Sequence, residues 1–241
     1  MKYLTGVFLL IVIFAINSKA QDTLYIYQSG EVVVKRAVSD IDSIIFYQPA
    51  IPETITDIEG NIYIVVTIGT QKWMAENLAT THLNDGTEIP SIINSTFPSY
   101  LYYNDDSVAN AATYGVLYNW PAANSGNLCP SGWHVPTDAE WTVLTNYLGG
   151  LTVAGGKMKE TGTAHWNSPN AGATNESGFS ARPGGRFATG FANMGVEGNW
   201  WSSTEDSSST AWMRLITSFM DDVSRSSNNK VFFLSVRCIE D

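Results

Sequence analysis

The chain has 241 residues, a formal net charge of −10, and only 15% charged against 12% aromatic residues. Few charges beside many rings exclude a disordered tail and point to a compact domain with a large aromatic core. The acid excess disfavours nucleic acid phosphate and anionic lipid as partners, and the length suits one full domain with a small appendage.

Lys2 gives a short positive start, Tyr3 to Ile16 is almost unbroken apolar, and Ser18-Lys19-Ala20 places small residues at −3 and −1 of a cut before Gln21. That layout is a secretory signal peptide over residues 1–20, too short and too weakly flanked for a permanent membrane span. A diacyl lipid anchor needs a cysteine at the cut, and the first cysteine is Cys129. The mature chain is therefore expected to be secreted or cell-surface, starting at Gln21. Losing Lys2 and Lys19 and no acid shifts its charge from −10 to −12.

Residues 21–48 read as a small β unit. Leu24 and Ile26 alternate with Tyr25 and Tyr27, Ser29-Gly30 marks a turn, Val32 to Lys35 return, and Ile44 to Tyr47 form a third run. Such a meander is too small to be stable alone. Pro49 and Pro52 mark a linker over 49–55, and the main domain spans 56–241.

That domain opens with a turn at Asp57 to Asn61, a strand Ile62 to Ile68 and a second turn at Gly69-Thr70. The middle is loop-rich, with Asn84-Asp85-Gly86, Pro90, Pro98 and Asn104-Asp105-Asp106. A helix starts at Thr137, whose capping box closes on Glu140, with Pro136 and Trp141 at the staple positions. Trp141, Leu144 and Leu148 share one face, and Gly149-Gly150 stops the helix. Aromatic islands in a Gly-, Ser- and Asn-rich stretch follow. Two strands close the chain, Ala211 to Thr217 and Lys230 to Ile239, separated by a polar stretch, Asp221 to Asn229. The class is α+β, with few helices, short strands and long irregular loops, which in compact domains usually carry function or lean on a disulfide.

Cys129 and Cys238 in an exported chain suggest a disulfide, worth roughly 4–5 kcal/mol for a loop of this order. Metal binding or thiol catalysis is the alternative, without CxxC spacing or a nearby histidine to support it. His82, His134 and His165 lie far apart with no His-x-x-x-His spacing, no Gly-x-Ser-x-Gly elbow occurs, and Gly184-Gly185 lacks the strand and helix of a phosphate cradle. No cofactor is expected. Calcium is the side candidate, through Asp105, Asp106, Asp221 and Asp222 with Glu205-Asp206, though no EF-hand spacing is present and solvated acidic loops are the simpler reading.

Seven blocks resemble one family: DIEGNIYIVVTIGTQKWMAENL (57–78), NDGTEIP (84–90), YGVLYNW (114–120), LCPSGWHVPTDAEW (128–141), GGKMKETGTAHWNSPNAGATNESGFSARPGG (155–185), NWWSSTE (199–205) and SVRCIED (235–241). The family is the Fibrobacter succinogenes major paralogous domain, common in exported bacterial proteins. The resemblance implies a fold of the C-type-lectin-like and formylglycine-generating-enzyme type, and a disulfide from the helix start, Cys129, to the last strand, Cys238. Two departures stand out. Pro121 follows the YNW triplet where relatives carry an aromatic, so a helix there should begin at that proline rather than run through it. The segment Arg182 to Phe191 is plainer than the tyrosine-rich loop of the family.

Three functional readings follow. The first is a binding module for an extracellular glycan or protein, with Trp166, Asn199, Trp200, Glu205 and Asp206 as candidate contacts and Trp133, Trp141 and Trp201 as core. The second is a structural or adhesive surface protein, with residues 21–48 as a docking piece open to strand addition. The third, remote, is a formylglycine-generating-type oxidoreductase, whose chemistry, as the resemblance implies it, needs a redox-active cysteine pair.

Overall fold

The structure, a computed structural model, describes residues 23–28, 31–41, 52–94 and 96–241. It divides into two compact units, Met1–Ala50 and Ile51–Asp241. The expected signal segment, the turn at Ser29-Gly30, the third run Ile44 to Tyr47 and the start of the linker, residues 49–51, lie outside the described residues.

In the first unit β1 (Thr23–Gln28) and β2 (Glu31–Ala37) form an antiparallel hairpin whose register shifts between Ile26 and Tyr27. The alternation read in the sequence produces this pairing, yet Val32, Val33 and Val34 are all exposed.

The second unit begins with β3 (Thr54–Thr56), β4 (Ile62–Ile68) and β5 (Gln71–Met74). The turn before β4 forms because the Asp57 carboxylate accepts from the Glu59 and Asn61 amides, both at 3.0 Å, and from the Tyr63 hydroxyl at 2.6 Å. Along β4, Tyr63 and Val65 face inward while Ile62 and Ile64 face out, the period-two pattern of a half-buried strand, and Ile68 at its end is buried out of that step. Next come β6 (Tyr100–Leu101), α1 (Ser107–Tyr114), β7 (Leu117–Tyr118), α2 (Trp120–Ala123) and β8 (Trp133–His134). Two helices follow, α3 (Asp138–Tyr147) and α4 (Leu151–Met158), then the short β9 (Arg186–Phe187) and β10 (Phe191–Ala192). The chain ends with β11 (Glu197–Glu205), β12 (Thr210–Thr217), β13 (Ser224–Asn229) and β14 (Ile239–Glu240).

The main sheet has the order β3-β4-β5-β14-β8, all antiparallel, so the final strand sits between an early strand and the one that leads into α3. β11, β12 and β13 make a second sheet, and β6–β7 and β9–β10 are two-stranded. Residues 233–235 bridge three of these pieces: Phe233 pairs with Phe187, Leu234 with Tyr118, and Ser235 with Trp200. The mixed α+β class is as expected. The expected strand over Lys230 to Ile239 is corrected: residues 233–235 make single bridges, the rest up to Cys238 is irregular, and only Ile239–Glu240 is a strand there.

A second correction concerns Asp221 to Asn229, expected as a polar connection. Its last six residues are β13, paired with β12 along their length. No apolar rhythm announces this edge strand because its anchor is ionic. Arg225 grips Asp138 at the start of α3 with two bonds of 2.9 and 2.8 Å, and its guanidinium lies 3.4 Å over the Trp212 ring. The buried Arg214 guanidinium takes the same carboxylate at 2.8 Å.

The expected helix is present as α3, with both halves of the Thr137–Glu140 capping box formed and Trp141, Leu144 and Leu148 buried. Its glycine stop also holds: Gly149 adopts φ 103°. Unforeseen is α4, which starts directly after Gly150 and contains Gly155-Gly156. Each glycine costs a helix about 1 kcal/mol against alanine, so propensity argues against this helix. Packing demands them: a Cβ at 155 would lie 2.1 Å from the Asp222 carbonyl oxygen, and one at 156 would lie 2.4 Å from that of Gly172. Near Pro121, α2 starts one residue earlier than expected, at Trp120, capped by Asn119, which leaves the proline in the first turn.

Cys129 and Cys238 form the disulfide, with Cα atoms 6.0 Å apart across 109 residues of sequence. Beside it lies a core of Trp73, Trp141, Phe179 and Trp200, with ring centroids 4.9 to 6.4 Å apart along their contacts. Among the described residues no helix is long and apolar enough to cross a membrane.

If backbone approach decides α4, Gly155→Ala should destabilise the domain by about 2 kcal/mol or more in denaturant unfolding, against the gain of about 1 kcal/mol that helix propensity alone gives.

Candidate functional site

The five expected contact residues separate. Trp166 is 1% exposed, Trp200 0% and Asn199 2%, so none of the three presents a face to a ligand. The Trp166 indole donates to the Ala181 carbonyl at 2.8 Å, and the Trp200 indole donates to Asn77 Oδ1 at 2.8 Å. This is a correction with a clear cause. For Asn199 and Trp200, β11 is covered on both faces, so its alternation puts no side chain in water from Gly198 to Ser202, while Trp166 is buried from the loop after α4. Glu205 and Asp206 are exposed at the turn between β11 and β12, engaged by Lys230 at 2.8 Å and by the Thr210 hydroxyl at 3.0 Å. Trp133, Trp141 and Trp201 are core, as expected.

The four aspartates named for calcium also have other roles. Asp106 caps α1 through the Ala109 amide at 3.0 Å, and Asp105, with φ 57°, belongs to the turn before it. Asp221 accepts from the Gly156 amide through its own carbonyl at 2.9 Å, and its Cβ packs where a side chain on Gly172 would stand. Next to Asp221 and Asp222, the loops are held by an ammonium. Lys159 Nζ, fully buried, donates to the carbonyls of Ala171 (2.6 Å), Thr217 (3.0 Å) and Met220 (2.7 Å). Burial lowers its pKa to about 8, and the charges of Asp221 and Asp222 work in the opposite direction. Among the described residues no group of three or more His, Cys, Asp or Glu is arranged to hold a metal.

Each histidine meets a carboxylate: His82 pairs with Glu59, His165 with Glu160, and His134 with both Asp241 at 2.7 Å and Glu140 at 2.9 Å. For His134, burial alone lowers the pKa, but the two carboxylates outweigh it and the net shift is upward.

A more coherent constellation lies where the sequence drew least attention. β9 and β10 form a tight hairpin in which Phe187 and Phe191 are cross-strand partners, their rings 5.0 Å apart and nearly perpendicular. Phe233 supports Phe187 from below at 5.8 Å, and Tyr103 flanks Phe191 at 5.2 Å. Tyr103, Phe187 and Phe191 are all half-buried, so each keeps part of its ring in water. Alongside, Arg186 pairs with Glu197 at 3.3 Å, and the same Glu197 oxygen accepts from Asn199 at 3.3 Å.

The backbone around these rings is unusually constrained. Asn104, Asp105 and Asn193 all have positive φ (53°, 57° and 65°), a region that costs a non-glycine residue of order 1 kcal/mol. Gly185, with φ 67°, admits no side chain, because a Cβ there would lie 2.6 Å from the Ala192 carbonyl oxygen and 2.9 Å from the Tyr103 ring. The Tyr103 carbonyl is fixed in turn by Asn110 at 2.9 Å. Sequence reasoning did not assemble Tyr103, Arg186, Phe187, Phe191 and Glu197. The available signal was the Asn104-Asp105 pair, residue types that tolerate positive φ, placed directly after an aromatic.

A family model described as the Fibrobacter succinogenes major domain matches residues 66–240. The chain therefore belongs to that family. Neither the comparison with curated proteins nor that with solved structures gives a match.

Because Lys159 is the cation that organises residues 171, 217 and 220, Lys159→Met should cost about 2–4 kcal/mol through three orphaned carbonyls. Thermal unfolding with and without calcium tests this, and added calcium should restore none of the loss.

Proposed function

We propose that this member of the Fibrobacter succinogenes major domain family is an exported, non-enzymatic binding module. In this reading it is secreted or presented at the cell surface after cleavage between Ala20 and Gln21. Its ligand contacts are Tyr103, Phe187 and Phe191, with Arg186 and Glu197 at their side. The carrying observation is the ring ridge itself: three part-exposed aromatics on a backbone locked by positive-φ residues and one obligate glycine. Preformed rings lose little conformational entropy when a partner docks, which favours affinity. Clustered, part-exposed rings suit the edge of a partner protein, with the Arg186–Glu197 pair supplying polar register.

The scaffold reading is C-type-lectin-like. It draws support from an early and a final strand lying side by side, β5 with β14, and from the tie between the approach to α3 and the approach to β14. The disulfide also weighs on catalysis. A formylglycine-generating-type reaction needs a reactive cysteine pair, and the two cysteines of the chain are joined to each other in the core, with no free thiol. A structural or adhesive role is the second reading, favoured by the exposed Val32, Val33 and Val34 of β2.

The test is binding of the mature chain, residues 21–241, to arrays of extracellular proteins and glycans, wild type beside Phe191→Ala. A protein ligand should appear, its affinity should fall roughly 10- to 100-fold in the variant, and the melting midpoint should move little. Equal binding by both proteins would remove the ridge from the interface, and retention of residues 1–20 on the isolated chain would end the exported reading.

A further inference from the structure

A concave feature elsewhere on the second unit shares no residue with the ring ridge. It is a cleft of about 360 Å³ lined by Thr67, Ile68, Tyr147, Leu148, Lys157, Glu176 and Ser177. Its apolar lining comes from Ile68 at the end of β4 and Leu148 just after α3, both buried. Its rim is polar: Lys157 Nζ and Glu176 Oε1 stand 2.9 Å apart, and the hydroxyls of Thr67 and Ser177 complete it.

Tyr147 is the unusual member. It is 66% exposed, at the last residue of α3, and its hydroxyl makes no hydrogen bond among the described residues. Part of its ring lies directly against Gly69, where a Cβ would come within 2.8 Å of a ring carbon. Gly69 has φ 65°, so the β4–β5 turn both requires a glycine and uses the vacated space to seat this ring. The opposite wall is equally fixed. The Ser177 amide and hydroxyl both donate to the Lys157 carbonyl (3.2 and 2.9 Å), and Asn175 clamps Ser180 through bonds of 3.0 and 2.9 Å.

A seated aromatic ring, a paired donor and acceptor at the rim and a small apolar floor are complementary to one chemical class. An exposed aromatic ring lining a cleft suits stacking on the C–H face of a pyranose. A carboxylate beside an ammonium accepts from and donates to neighbouring hydroxyls. The volume fits one or two sugar rings. Charge narrows the class: Lys157 and Glu176 neutralise each other and the chain as a whole is acidic, so an anionic sugar gains nothing and is repelled at long range. We infer that this cleft is a binding subsite for neutral oligosaccharide, with Tyr147 as the stacking platform and Lys157 with Glu176 as the hydroxyl clamp.

Titration of the mature chain with hexaoses of β-1,4-glucan, β-1,4-xylan, β-1,4-mannan and α-1,4-glucan, beside hexagalacturonate as an anionic control, tests the assignment. At least one neutral hexaose should bind in the high-micromolar to millimolar range. Tyr147→Ala should weaken that binding more than tenfold, Tyr147→Phe should hold within about threefold, and Phe191→Ala should leave it unchanged, all with an unaltered melting midpoint. Absence of binding by all four neutral hexaoses, equal binding by Tyr147→Ala, or preference for the anionic control would each overturn it.

Discussion

One buried cation holds the second unit together. The Arg237 guanidinium is fully buried, lies 4.1 Å over the Phe179 ring and 5.9 Å from the Trp200 ring, and donates to Asn77 Oδ1 at 2.8 Å, to the Phe179 carbonyl and, at 3.4 Å, to the Met74 carbonyl. Burial drives its pKa down, with the charge of Glu76 acting against that, and no carboxylate is bonded to it. Desolvating a guanidinium costs several kcal/mol, so such a group persists only where ring faces and carbonyls replace its water. Asn77 multiplies the effect, because the oxygen that accepts from Arg237 also accepts from Trp200, while its amide nitrogen donates to the Tyr114 carbonyl and to Ser235. Five separated stretches of chain converge on these two side chains. The next residue, Cys238, adds the covalent tie, and Ile239 then enters the main sheet opposite Trp73 and His134.

This closure explains how a domain with so much irregular chain keeps its loops in place. The loops are tied by charge and by backbone contact more than by apolar burial. Lys159 gathers three carbonyls, Asp138 gathers two arginines, and Gly155 and Gly156 let Asp222 and Gly172 touch the helix backbone. Fixed loops can hold rings part-exposed without collapse, which is what both the Tyr103–Phe187–Phe191 ridge and the Tyr147 cleft require. The same rigidity keeps binding from being charged with loop ordering, the usual entropic cost of irregular binding surfaces.

Features set by neighbours in sequence were legible there. The Thr137–Glu140 capping box, the glycine stop at Gly149, the Asp57 turn and the strand Ile62 to Ile68 all obey rules that span a few residues. What tertiary contact decides was not legible. α4 hides behind two glycines that local propensity counts against it, and β13 is too polar to show a strand rhythm. Trp166 and Trp200 illustrate the limit for function. Composition says that an indole is buried or binding, and only tertiary packing decides, through the covering of β11 on both faces for Trp200 and the bond to the Ala181 carbonyl for Trp166. The ridge was invisible for a related reason: Tyr103 and Phe191 meet only because residues 233–235 draw β7, β9 and β11 together.

The claim that Arg237 and Asn77 act as one closing unit can be measured directly as a coupling energy. Denaturant unfolding of the disulfide-intact wild type, Arg237→Lys, Asn77→Ala and the double variant completes the cycle. The double variant should lose about 1–3 kcal/mol less than the two single losses together, since either change alone already breaks the shared network. Additivity within about 0.5 kcal/mol would show two independent contacts and contradict it.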